Sequence, residues 1–267
     1  MCYDARTVCC SPKVARAAPG RDSEEKILKL FWPHRYICAA LIVTLSLCVA
    51  AARPAPTRSA PQTQWTLDAV LRQLDAQSKD FTSMTADIER TKVTVVVDDK
   101  STDSGKIFVR RDDKMRIEFT SPDLRTVLLN GDSLYIYTPK INRVDEYSIA
   151  KHREMADQFL LLGFGTSGSA LEKNFDISFQ NEETLDGRKT LMLELTPKSA
   201  DMRNQISKVQ IWFDEATWLP AQQKFFETGS GDYFTVRYTD IARNVRIPDA
   251  RFRPQWPKGV TKVKQDS

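Results

Sequence analysis

The chain has 267 residues and a formal charge of +4. From Arg53 onward it carries 32 Lys and Arg against 31 Asp and Glu, close to neutral. That balance argues against nucleic acid as the main partner, because neutralising phosphates requires a basic stripe. All five cysteines (Cys2, Cys9, Cys10, Cys38, Cys48) precede residue 49, so any exported form must fold without disulfides. The roughly 215 residues after Ala52 are enough to bury a core without that help.

In chain order, residues 1–34 form a polar leader with scattered cysteines and no periodicity, as an upstream start site would give. Residues 35–52, "RYICAALIVTLSLCVAAA", follow the basic, apolar, small-residue plan of a cleaved secretory signal, with Ala50-x-Ala52 as the cleavage site. Lipidation of Cys48 is disfavoured by Leu47, since a small residue normally precedes a lipidated cysteine. Residues 53–63 are Pro-rich and read as an extended tether. The folded domain is expected over 64–267.

Leu67, Val70, Leu71 and Leu74 fall at i, i+3, i+4 and i+7, which predicts an amphipathic helix with Thr66 as N-cap. From Phe81 onward short β-type runs alternate with turn signals, Asn130-Gly131 being the clearest hairpin. Ile149–Lys173 interrupts them with a helical segment whose apolar surface, Phe159, Leu162 and Phe164 among others, is too broad for one stripe. Strands then resume, with clean alternation at Leu191/Leu193/Leu195 and Val209/Ile211/Phe213. The fold class expected is mostly β with helices: an unclosed antiparallel β-barrel of about ten or eleven strands, with a helical lid over an apolar hollow.

No catalytic constellation is visible, so the reading is of a non-enzyme without cofactor or metal. His152 is the only histidine after the signal, and it sits in the polar stretch "KHRE". "GFGTSG" at Gly163–Gly168 spells G-x-G-x-x-G but follows a helix and opens no βαβ unit. It reads as a joint between two lid helices.

"GKIFVRRDDKMRIEF" (Gly105–Phe119) and the following "SPDLRTVLLNGDSLYIYTPKINRVDEY" together resemble the LolA-type periplasmic lipoprotein carriers. Gly105, Arg110-Arg111, Met115, Asn130-Gly131, Leu134, Tyr135, Tyr137 and Pro139 match that family's order and spacing, and "RFRPQWPKGVTKV" resembles its terminal segment. The resemblance implies a periplasmic monomer whose cavity takes up acyl chains of lipoproteins or lipids. It also implies an inner-membrane ATP-driven exporter as donor and an outer-membrane receptor as acceptor. The family's lid-tethering arginine falls on Arg111 and its cavity-edge aromatic on Met115. Asp112 stands where the family usually has Pro, and Phe108 or Tyr135 where it has a strand Trp.

The cavity lining expected is Ile107, Val109, Met115, Ile117 and Phe119 from the first strands, and Tyr135 and Tyr137 from the hairpin after Asn130. Phe159 and Leu162 come from the lid, and Leu191, Leu193, Val209 and Ile211 from the later strands. For each of these a filled core is the ordinary alternative. Arg111 has two readings: a latch on carbonyls of the Met155–Gly168 lid, or a salt bridge to Asp112 or Asp113. Two other functions stay open, a lipid-sensing regulatory module and a carrier of a different lipid.

Overall fold

The computed structural model describes residues 65–150 and 161–265. The leader, the signal and the tether lie outside the described residues, as do His152, Met155 and Phe159.

Helix α1 spans Leu67–Lys79, and Thr66 caps it by accepting the Ala69 N–H at 3.3 Å. Its buried stripe is Val70, Leu71 and Leu74, as the spacing predicts. Six strands follow: β1 (Ser83–Thr94), β2 (Asp99–Arg110), β3 (Lys114–Ser121), β4 (Arg125–Asn130), β5 (Ser133–Thr138) and β6 (Arg143–Ser148). After the helix α2 (Gly168–Asn174) come β7 (Phe175–Leu185), β8 (Arg188–Pro197), the single turn α3 (Ala200–Arg203), β9 (Ile206–Asp214), β10 (Pro220–Glu227) and β11 (Tyr233–Arg243). Strand β12 (Thr261–Gln265) ends the sheet.

All twelve strands form one sheet in the order β12-β6-β5-β4-β3-β2-β1-β11-β10-β9-β8-β7. Two meanders, β1–β6 and β7–β11, are joined through the antiparallel β1–β11 pair. The outer strands β12 and β7 are not paired with each other, so the barrel is unclosed as expected. The count exceeds the expected ten or eleven because β12 was not read as a strand. It is short and polar, and it pairs parallel to β6.

Residues 99–104 carry the Asp, Ser and Thr of turn chemistry, yet they form the first half of β2 and pair with the outer half of β1. Pairing register, not propensity, decides a solvated strand of this kind. Gly105 lies where β2 bulges against β3, and a Cβ there would stand 2.0 Å from the Glu118 carbonyl oxygen. Gly105→Ala therefore forces backbone apart and is expected to cost on the order of 3 kcal/mol. Urea unfolding should show a lower midpoint at unchanged slope.

The inner face of the sheet carries two cores. Under α1 and α2, Val70, Leu74 and Leu171 pack on Leu191, Leu193, Val209, Ile211 and Phe213. On the other half, Phe81, Met84, Ile107, Val109, Met115 and Leu129 pack with Phe164 and Leu219. A smaller cluster on the outer face seats the C-terminal segment: Ile247 and Phe252 on Leu128, with Phe108, Tyr135 and Trp256 around them.

Candidate ligand cavity and its closing segment

Between the two cores the described residues leave the inner face unfilled. A cavity of about 420 Å³ is walled by Ile107, Met115, Ile117, Phe119, Val127 and Ile136 on one side. Phe225, Phe234, Val236 and Tyr238 wall the other side. It lies within the roughly 300–1,000 Å³ typical of small-molecule sites, and its lining is apolar apart from Gln223 and, at one end, Arg90 and Arg125. Phe164 closes one end, standing edge-on to Tyr238 with ring centroids 5.3 Å apart.

The closing segment, residues 161–167, is fixed to the sheet by a buried polar relay. The Gln223 side-chain amide donates to the Leu162 carbonyl at 2.7 Å, and the Tyr238 hydroxyl donates to Gln223 Oε1 at 2.6 Å. Burial pushes the Tyr238 phenol well above its ordinary range, so it remains a donor at every physiological pH. The glycines of "GFGTSG" serve packing: Gly165 has φ of 69°, and a Cβ there would meet the Phe81 ring. Gly168 sits so close to α1 that a Cβ would lie 2.3 Å from the Leu71 carbonyl oxygen. The Gly168 contact lets the start of α2 pack directly on α1.

Arg111 lies in the three-residue turn between the Arg110↔Lys114 pair, with Asp113 at φ 57° completing the hairpin. Its Nη1 donates to the carbonyls of Ser78 (3.2 Å), Lys79 (2.9 Å) and Phe81 (3.3 Å). The first two belong to the last turn of α1, where a cation also meets the negative end of the helix dipole, and Phe81 lies two residues beyond it. Arg243 from β11 supports the same end by donating to the Gln77 carbonyl at 2.6 Å. Asp112 instead takes a two-pronged bond from Arg110 at 2.6 and 2.7 Å. That bond, aided by Lys114, holds its carboxyl well below the usual carboxylate range.

Arg111 thus bonds α1, where the sequence reading offered the Met155–Gly168 carbonyls or a neighbouring aspartate. A second cavity of about 240 Å³ separates Arg111 and Val109 from Leu161, Leu162, Phe164 and Leu171. Arg111→Leu should free the last turn of α1, with Arg243 retaining part of the hold. Amide exchange over residues 76–80 is expected to quicken about tenfold with the global melting temperature little changed.

The predicted lining divides five ways. Ile107, Met115, Ile117 and Phe119 face the main cavity, while Val109 and Leu162 face the smaller one beside Arg111. Leu191, Leu193, Val209 and Ile211 are instead packed core beneath the helices, because α1 and α2 fill that half of the hollow. Tyr135 and Tyr137 lie on the opposite face of β5, against Trp256 at ring distances of 6.0 and 5.4 Å. Alternation puts Leu134 and Ile136 inward, and so the tyrosines outward. Phe159 lies outside the described residues. Sequence reasoning missed Gln223, Phe234, Val236 and Tyr238, of which the last three were legible as every second residue of β11.

An open antiparallel half-barrel with an apolar hollow and a helical cover is the class that this fold and cavity define. Residues 79–255 match the family described as "Outer membrane lipoprotein carrier protein LolA", and the chain belongs to that family. It is 29% identical over 164 residues to an outer-membrane lipoprotein carrier protein of Cupriavidus pinatubonensis, covering 61% of this chain and 71% of that one. It is 25% identical over 197 residues to an uncharacterized protein of Methanocaldococcus jannaschii, covering 74% of this chain and 53% of the other. The chain therefore spans about half the length of that archaeal relative. Among solved structures, a LolA superfamily protein of Nitrosomonas europaea aligns over 71% of this chain and 98% of its own, at 14% identity and a TM-score of 0.37. No helix among the described residues is long and apolar enough to cross a membrane.

Proposed function

We propose that this chain is a non-catalytic acyl-chain carrier of the periplasm, exported by the signal ending near Ala52. It takes up the lipid moiety of lipoproteins at the inner membrane and releases it at the outer membrane. The observation that carries this reading is the unfilled apolar cavity of about 420 Å³ in a chain of the LolA family. Each buried CH₂ is worth about 0.8 kcal/mol, so acyl chains do not cross water unaided and a sheltered path is needed. If a methylene fills about the ~30 Å³ of a water molecule, the cavity takes roughly 14 carbons, one acyl chain rather than several.

Longer or additional chains require the closing segment to lift. Arg111 then serves as the hinge-side fastening, holding α1 down while the cavity is empty and yielding as chains enter. Donor and acceptor in this scheme are an ATP-driven exporter and an outer-membrane receptor. The test is mass spectrometry of protein purified natively from the envelope. Co-purified acylated protein or extractable acyl lipid near one equivalent supports the carrier; an apolar extract with no lipid in any preparation overturns it.

A further inference from the structure

The end of the cavity opposite Phe164 is not apolar. Arg90 on β1 and Arg125 on β4 both line it, and both donate to the same oxygen, Asp103 Oδ2, at 3.2 and 3.1 Å. The two guanidinium groups also lie over rings of the cavity wall. Arg90 is 5.2 Å from the Phe234 centroid and Arg125 4.5 Å from that of Phe119. About a third of each arginine side chain is exposed.

One carboxylate thus faces two permanent cations. A strand-bridging pair would need only one arginine; the second leaves a net positive charge at the mouth of an apolar hollow. Each guanidinium has five N–H donors, and among the described residues each gives one hydrogen bond, to Asp103. The aromatic faces beneath fix the two planes, so the free donors are ordered in advance.

We propose that Arg90 and Arg125, spaced by Asp103, form an anion-binding rim that selects amphiphiles with a phosphate or carboxylate head group. This deepens the carrier reading and rests on it. A head group held at the rim lets its tail run past Phe119 and Phe234 into the cavity. Asp103 keeps the two cations together in the empty state and tempers their hold, so that cargo can leave.

The test uses the purified full-length chain with N-phenyl-1-naphthylamine, a neutral fluorescent reporter of apolar sites. Four ligands with one myristoyl or myristyl chain compete for it: myristate, myristoyl lysophosphatidate, monomyristoylglycerol and myristyl trimethylammonium. The two anions should displace the reporter at about tenfold lower concentration than the neutral glyceride, with the cation weakest. The stronger of the two anions identifies the head group as phosphate or carboxylate. Raising salt from about 0.15 to about 1 M should shrink the anion advantage.

Arg90→Gln with Arg125→Gln should abolish that advantage, bringing the anions to the level of the glyceride measured in the same variant. Asp103→Asn should enlarge it about threefold, a gain that a misfolded variant cannot produce. Equal displacement by anions and glyceride, or an Asp103→Asn variant that binds anions less well, overturns the rim and leaves the cavity standing. Failure of the reporter and all four ligands to bind overturns the cavity and the carrier reading with it.

Discussion

Replacing Ile117 and Val236 together by tryptophan is expected to abolish acyl-chain uptake without unfolding the chain. The two residues line the cavity from β3 and from β11, on either flank of the β2–β1 pair. Two indoles projecting into about 420 Å³ occupy the space that a single acyl chain would need. Because they fill a void and displace no packed neighbour, they make new dispersion contacts and stability should hold or rise. Affinity for a labelled fatty acid should drop by more than about tenfold, with an unchanged or higher melting temperature. Normal uptake in that variant would show that acyl chains bind elsewhere.

The second large effect is on stability. Gln223→Leu leaves both the Leu162 carbonyl and the Tyr238 hydroxyl buried without their partner. Each stranded group costs about 1–3 kcal/mol, so a loss of about 2–6 kcal/mol is expected. Part of that loss should be local, because the amide of Gln223 is what ties the closing segment to β10. Limited proteolysis between residues 161 and 167 should accelerate before the sheet itself melts. Tyr238→Phe should be milder, about 1–3 kcal/mol, since it strands only Gln223 Oε1 and leaves the tie to Leu162 in place. Equal damage from the two substitutions would place the stabilising role on the Tyr238–Gln223 bond alone.

Much of the fold was legible because one-sided alternation and helical spacing are strong where a face is buried. The α1 stripe, the inward set of β3 and the β8 and β9 leucines and valines all follow from it. Legibility failed where no face is buried. The first half of β2 and the short β12 carry no apolar stripe, and only their pairing partners make them strands.

The site was partly legible, for a different reason. Alternation tells which residues point inward; it does not tell whether a helix then fills the space above them. Leu191 and Ile117 carry the same signal, yet one is packed core beneath α1 and α2 and the other walls the cavity. For Tyr135 and Tyr137 the phase was taken from the motif, and β5 presents its other face inward. Arg111 was singled out as a group that suits carbonyl acceptors or a neighbouring aspartate. Its acceptors proved to be on α1, which the strand pattern around it could not indicate. Gln223 and the Arg90–Asp103–Arg125 bridge depend on residues far apart in sequence, and they become visible only when β1, β4 and β10 are assembled.

The central claim is that an acyl chain occupies the hollow between β3 and β11. Photo-crosslinking with a fatty acid bearing a diazirine near the chain end, followed by peptide mapping, tests it most directly. Adducts should concentrate on Ile107, Ile117, Val127 and Val236, and should vanish in the double tryptophan variant. Adducts confined to the exposed apolar residues at the turns, Val95–Val97, Leu124 and Ile141, would contradict it.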